Sequence, residues 1–291
     1  MKKLIRIMMI LGLGFSVLSG LSLSAVAQDK PVLKISAIPD FDQTALTKGF
    51  GSFADYLAKE LDMNVEYVPV TDYTAVVTGF DRGDIDLAWF GGLTTVQAQA
   101  INDKAEAIAQ RPMDAEFKSH FIKHKDVAID SLEDLKGHSF TFGSESSTSG
   151  HLMPRYFLEE AGINPETDFD GLPLYSGSHD KTMALVEAGT VDAGAVNQQY
   201  WQQALENGEV NTDLIESFYV TPDYYDYNWT VGDVDAKFGP GTKDKIKAAI
   251  LKATPADSSV LELLSTDKFI ETNNENYQKI EKVARDLGLV E

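Results

Sequence analysis

Four consecutive hydroxyl residues, Ser146, Ser147, Thr148 and Ser149, stand immediately before Gly150. The apolar stretch at 138–142 reads as a buried strand, and Leu152, Tyr156 and Phe157 recur at helical spacing, so the cluster falls where a strand hands over to a helix. Such a junction suits an anion. The first N–H groups of a helix lack intrahelical acceptors, the dipole there is positive, and each hydroxyl adds a donor. A plain Ser/Thr cap is the alternative, but one hydroxyl satisfies a cap.

The elements that must position this junction repeat along the chain. Strands are expected at 32–39, 65–70, 85–90 and 105–109, with helices at 45–61, 73–81 and 93–101 between them. The series then restarts: a short helix at 132–136, strands at 138–143, 172–175, 191–196 and 215–220, and helices at 150–161, 180–187 and 199–205. A strand at 227–231 and helices at 243–253, 260–264 and 274–287 follow. Gly83-Asp84-Ile85-Asp86-Leu87-Ala88 and Gly189-Thr190-Val191-Asp192-Ala193-Gly194 share letters and place within the order, which suggests two similar α/β lobes about 106 residues apart in register. Connections are expected at 117–130, leading out of the first lobe, and at 219–230, leading back.

The expected organisation is therefore a leader at 1–27, lobe 1 at 28–120, lobe 2 at 121–222, and a return to lobe 1 with C-terminal helices at 223–291. Lys2, Lys3 and Arg6 before an apolar core, followed by Ala25-Val26-Ala27, read as a cleavable export signal. No cysteine stands near the cut, so a free periplasmic protein is expected rather than a lipid-anchored one, with no membrane insertion after cleavage. Removal of the leader leaves 264 of the 291 residues and takes the net charge from −20 to −23, because its three basic residues go and no acidic one does. That charge disfavours nucleic acid and acidic membranes as partners. Zero cysteines exclude a disulfide framework, a thiolate metal site and a cysteine nucleophile. No cofactor is called for.

A net charge of this sign does not exclude an anionic ligand. Surface charges are screened beyond roughly 8 Å at physiological salt, whereas a hydrogen bond to a charged group in a closed site contributes about 1.5–3 kcal/mol. The local effect prevails.

In open α/β sheets ligands lie beyond the carboxyl ends of the strands. Applied to both lobes, this gathers the turns 40–44, 71–73, 89–95, 146–150 and 176–179, with Asn197, around one cleft. The candidate ligand groups in and beside these turns are Asp72, Tyr73, Thr95, Ser147, Thr148, Ser149, Gly150, Ser178, His179 and Asn197. These turns hold hydroxyl, amide and glycine groups and no arginine, so recognition would rest on neutral donors and an imidazolium at His179, which suits a small tetrahedral oxyanion. His179 has a second reading as a solvated helix start. Tyr225, Tyr227 and Trp229 alternate onto one strand face, for the cleft mouth or a lobe seam. His120 and His124 have helical metal spacing, but lysines surround them and no carboxylate is placed beside them.

Residues 146–157, Ser176-Gly177-Ser178-His179-Asp180 and the aromatic run 224–230 resemble the phosphate/phosphite/phosphonate-binding proteins of bacterial ABC importers, most of all a subgroup named for selenate. The resemblance spans nearly all of the mature chain. It implies a two-lobed type II periplasmic binding clamshell with mixed, mostly parallel sheets, delivery of a small oxyanion to membrane permease subunits, and ligand contacts from Ser147, Thr148, Ser149 and His179, and it makes Tyr225, Tyr227 and Asn228 candidate cleft residues. Two departures argue against an aminoalkyl phosphonate: Asn197 stands where such binders carry an acid, and Thr95 where they often carry tyrosine. Arsenite-sensing relatives rely on a cysteine that is missing here. A serine hydrolase built on Ser147 or Ser149 with His179 lacks the G-x-S-x-G elbow, since Ser147 occupies the first glycine position. A sensory binding protein reporting to a receptor kinase would use the same clamshell.

Overall fold

The computed structural model describes residues 31–291; the leader expected at 1–27 lies outside the described residues. The chain runs β1 (Val32–Ala37), α1 (Gln43–Leu61), β2 (Asn64–Tyr67), α2 (Tyr73–Asp81), β3 (Leu87–Phe90), α3 (Gly92–Ile101), β4 (Glu106–Gln110) and β5 (Ser119–His124). It continues through β6 (Phe140–Phe142), α4 (Met153–Glu160), β7 (Leu174–Tyr175), α5 (His179–Glu187), β8 (Ala193–Asn197), α6 (Gln198–Glu206) and β9 (Ile215–Val220). The last part holds β10 (Asn228–Val231), α7 (Val234–Phe238), α8 (Thr242–Lys252), α9 (Val260–Leu263), β11 (Ile270–Glu271) and α10 (Gln278–Asp286).

Two sheets result. One has the order β11-β4-β10-β3-β1-β2, the other β7-β6-β8-β5-β9. Only β10 and β11 in the first and β5 in the second run against their neighbours' common direction, so both sheets are mixed and mostly parallel. The first sheet takes strands from both ends of the described chain, because β10 returns from the second and inserts between β3 and β4.

Local sequence explains the element ends. Asp42 caps α1 by accepting from the N–H groups of Thr44 and Ala45 at 2.9 and 3.0 Å, and the helix ends where Asp62 turns left-handed. Leu46, Phe50, Phe53 and Leu57 form its buried face. Each such side chain contributes about 1.5–3 kcal/mol on burial. Phe53 stacks on Trp229 of β10 with ring centroids 5.0 Å apart, tying the first helix to the returning strand.

The internal repeat has a structural counterpart. Gly83 and Gly189, both with positive φ, turn α2 into β3 and α5 into β8. Asp86 Oδ2 accepts from the Lys34 N–H at 2.9 Å, and Asp192 Oδ2 accepts from the Ser139 N–H at 3.0 Å, so each pins its strand to a neighbour.

Three expectations need correction. Residues 117–130 are not merely a connection, since β5 lies within them and pairs with both β8 and β9. Its sequence disguised it: Lys123 interrupts the apolar pattern yet is buried, held by Asp130 and Glu216 at 3.3 and 3.4 Å. His120 and His124 consequently lie on a strand, where residues four apart are about 13 Å from each other, too far to share a metal. Tyr225 does not share a face with Tyr227; it packs against Tyr277, while Tyr227 stacks on Trp89. The pairing of the crossings themselves is intimate: Phe117 and Tyr224 exchange reciprocal backbone hydrogen bonds at 2.9 and 3.0 Å.

Candidate oxyanion site

Ser147 starts the helix after β6. Its Oγ accepts from the Gly150 N–H at 2.9 Å, and residues 148–152 form a wide π turn that runs on into α4. As the first residues of that turn, Thr148 and Ser149 present amides without intrahelical acceptors. Gly150 is required by packing: a Cβ there would lie 2.9 Å from Ser147 Oγ, 3.1 Å from His179 Cε1 and 3.2 Å from Gly143 Cα.

The helix start meets the first sheet's loops directly. Thr148 Oγ1 accepts from the Leu93 N–H at 2.9 Å, at the beginning of α3. The neighbouring Gly92 N–H donates to Asp226 Oδ1 at 3.0 Å. Ser119 Oγ, beside the crossing, donates to the Ser149 carbonyl at 2.7 Å. Two sheets' worth of loops are thereby closed onto one another, and Ser147, Thr148 and Ser149 are all buried.

Tyr73 and His179 flank this cluster. Each is the first residue of its helix, α2 or α5, and each is buried. His179 Nδ1 accepts from the Asn197 N–H at 3.3 Å, which leaves the ring proton on Nε2. Among the described residues Nε2 has no partner, nor has the Tyr73 hydroxyl. Burial pushes the imidazole down to about 4, with Asp180 opposing, so His179 is a neutral donor and not the imidazolium expected from sequence. Burial also lifts the Tyr73 phenol well above its ordinary value, so it too keeps its proton.

Asn197 and Tyr227 stand behind. Asn197 Oδ1 caps α6 by accepting from the Tyr200 N–H, and its Nδ2 donates to the Tyr227 hydroxyl at 2.8 Å. The asparagine is thus committed on both sides, and its visible task is to orient Tyr227. Thr95 is likewise engaged, accepting from Asn228 Nδ2 at 2.7 Å. The Ser178 hydroxyl donates to Asp180 Oδ1. Asp72 is an exposed cap that accepts from the Ala75 N–H at 2.8 Å, and Tyr225 faces α10's approach; neither joins the cluster.

Three groups in or behind the cluster lie outside the candidate ligand residues, although the turn that holds one of them, 40–44, is expected at the cleft. Asp40 and Asp226 are buried carboxyls, both pushed up to about 7 by burial, with the Tyr227 hydroxyl partly offsetting this at Asp40 and the Gly92 N–H at Asp226. Among the described residues, both oxygens of Asp40 and Oδ2 of Asp226 have no partner. Arg111 is fully buried, with its guanidinium against Tyr227, Trp89 and Phe117 at 4.9, 5.3 and 5.6 Å. Burial pulls it down, but the Asp114 carboxylate more than restores it. Its donors go to Asp114, Gln199 and the Leu264 carbonyl, so it braces the aromatic wall. The signal available in sequence was an acid embedded among aromatics, Tyr225-Asp226-Tyr227.

A family model described as ABC transporter, phosphonate, periplasmic substrate-binding protein matches residues 35–277. The chain belongs to this family of phosphonate-type periplasmic binding proteins. It is 42% identical over 287 residues, 95% of each chain, to a protein of Prochlorococcus marinus named probable ABC transporter phosphite binding protein PhnD1. A solved structure of PhnD1 from that organism, in complex with methylphosphonate, superposes with a TM-score of 0.84 over 88% of this chain and 98% of that one. The phosphate-import protein PhnD of Mycolicibacterium smegmatis is 26% identical, over 77% of this chain and 73% of that one. The Prochlorococcus marinus relative is named as a transporter binding protein, and the solved PhnD1 structure shares the mixed α/β fold of this chain.

Proposed function

We propose that this member of the phosphonate-binding family captures a small phosphorus oxyanion of the phosphite or methylphosphonate class between its lobes and delivers it to the membrane permease of an ABC importer. The chain would be exported to the periplasm by its leader, 1–27, and would act as a carrier and not an enzyme. Residues 31–116 with 225–291 would form one moving body and 119–222, which hold β5 to β9, the other, with the paired crossing at Phe117 and Tyr224 as the hinge. Closure around the anion then presents a new outer surface to the permease.

One observation carries this reading: neutral donors from both lobes converge without partners of their own. The Tyr73 hydroxyl and His179 Nε2 are unpartnered among the described residues, and the Thr148 and Ser149 amides begin a helix between them. A phosphorus oxyanion has enough oxygen lone pairs to accept from all four. A kinship of 42% with a relative named for phosphite supports the class of ligand.

Thermal unfolding with phosphite, methylphosphonate, phosphate, sulfate and selenate tests it. A ligand present at 100 times its dissociation constant stabilises the fold by about 2.7 kcal/mol. Upward shifts with phosphite or methylphosphonate are expected; no shift with any phosphorus oxyanion would refute the function.

A further inference from the structure

The short helix α9 ends against the other lobe. It belongs to the first body, since it packs on α1 so closely that a Cβ at Gly49 would lie 2.8 Å from Leu263 Cδ2. The last carbonyls of a helix have no intrahelical donors and must find partners beyond it. Two are satisfied locally: the Thr266 N–H donates to the Leu261 carbonyl at 2.9 Å and the Ser265 N–H to the Glu262 carbonyl at 3.0 Å, with Ser265 in the left-handed region at a φ of 50°. The next two, of Leu263 and Leu264, are taken by side chains from elsewhere. Gln199 and Gln203, one turn apart on α6 of the second body, both donate through Nε2 to the Leu263 carbonyl, at 3.0 and 3.1 Å. Arg111 Nη1 donates to the Leu264 carbonyl at 2.9 Å and also to Gln199 Oε1.

Ser265 completes the arrangement. Glycine is the usual residue at a left-handed helix end, because a side chain there is strained. Here the serine hydroxyl accepts from Gln203 Nε2, so the side chain that strains the turn also reaches the second lobe. Nearby, Phe41, just before α1, meets Tyr200 of α6 with ring centroids 5.9 Å apart. The first lobe therefore grips α6 at 199, 200 and 203. The grip leads on to the site, since α6 is capped by Asn197, whose N–H donates to His179 Nδ1. We propose that Gln199, Gln203 and Ser265 form a clasp that holds the lobes closed from outside the oxyanion cluster, positioning residues that set affinity without setting discrimination. This rests on the proposed function and deepens it.

Closure and capture are coupled equilibria. An anion held by the closed form loses apparent affinity by the factor by which that form loses stability relative to the open one. Breaking the clasp should therefore weaken every ligand alike, and should do so by speeding release while association stays unchanged. Ser265 gives the sharpest test, because fold and clasp pull it in opposite directions: Ser265→Gly relieves the left-handed backbone and removes the acceptor. Calorimetry and stopped-flow binding on the mature variant should show phosphite and methylphosphonate each bound about fivefold more weakly, with the loss in the off-rate. Its unliganded melting temperature should fall by no more than about 2 °C.

A second pair of variants separates hydrogen bonding from packing. Gln203→Met keeps the length of the side chain without its donor and should weaken both ligands by about tenfold, whereas Gln203→Lys restores a donor and should stay within about twofold of wild type. Affinities within about twofold of wild type in both Ser265→Gly and Gln203→Met would overturn the clasp while leaving oxyanion capture intact. So would unequal losses for the two ligands, which would mean contact with the ligand itself, or equal losses in Gln203→Lys and Gln203→Met, which would mean packing. A wild type that binds neither phosphite nor methylphosphonate would instead overturn the function, and this inference with it.

Discussion

Tyr73 and His179 occupy the same place in the two halves of the molecule. They lie 106 residues apart, each opens the helix that precedes the pinned strand of its sheet, and each turns an unpartnered polar atom inward. On the proposed function the repeat would supply one donor from each lobe to the same ligand. Tyr73→Phe and His179→Leu should each weaken ligand binding by about 10- to 150-fold, the equivalent of one hydrogen bond to a charged group. Calorimetry on both variants checks this; affinity within twofold of wild type for either would remove that residue from the site.

Histidine 179 also gives a stability signature. Its folded value of about 4 lies below the ordinary 6.5, so the unfolded chain takes a proton first. The corresponding stability is present above about pH 6.5 and is lost as the pH falls through about 4. Wild type should therefore lose stability relative to His179→Gln over that window, on the order of 3 kcal/mol, in urea unfolding at stepped pH. Asp40 and Asp226, raised from 3.8 to about 7, act with the opposite sign: stability present at low pH is lost as the pH rises through neutrality. A parallel pH profile for wild type and His179→Gln would show that the imidazole titrates as if exposed.

Gly91 controls how closely the lobes meet. Its φ of −85° suits any residue, so alanine there brings no backbone strain. The added Cβ would lie 3.0 Å from Thr148 Oγ1 of the opposite lobe and 3.1 Å from Asp226 Oδ1 of its own. Gly91→Ala should weaken ligand binding by about tenfold while moving the unliganded melting temperature by less than about 2 °C. Surface plasmon resonance and calorimetry separate the two; a stability loss without an affinity loss would contradict the placement of Gly91 at the interface.

Arg111 and Asp114 form a buried bidentate pair with both side chains fully covered. Removing one partner strands the other charge, so Arg111→Met should cost about 3–5 kcal/mol and lower the melting temperature by about 10 °C. Arg111→Met with Asp114→Leu should recover at least half of that loss, because it removes the uncompensated charge. An equal loss in the single and double variants would show that packing around the guanidinium, and not charge pairing, is what matters.

How much of this was legible in the sequence varies with the physics involved. The strand and helix order came through because apolar period and turn chemistry are local: α2 lies where the pattern puts it, and Gly83 and Gly189 punctuate both lobes alike. The position of the hydroxyl cluster between a strand and a helix came through for the same reason. β5 did not, because its burial depends on two partner strands far away in sequence and on acids that neutralise Lys123. Nor did the state of His179, the commitment of Asn197 to Tyr227, or the unpartnered oxygens of Asp40 and Asp226. Each depends on depth of burial and on which neighbours the other lobe supplies, and neither is written in spacing.

The most direct measurement is a crystal structure of the mature protein grown with methylphosphonate. Phosphonate oxygens are predicted within hydrogen-bond distance of His179 Nε2, the Tyr73 hydroxyl and the amides of Thr148 and Ser149, with the lobes closed. Methylphosphonate bound away from these four groups, or closed lobes with His179 and Tyr73 filled by protein side chains instead, would contradict it.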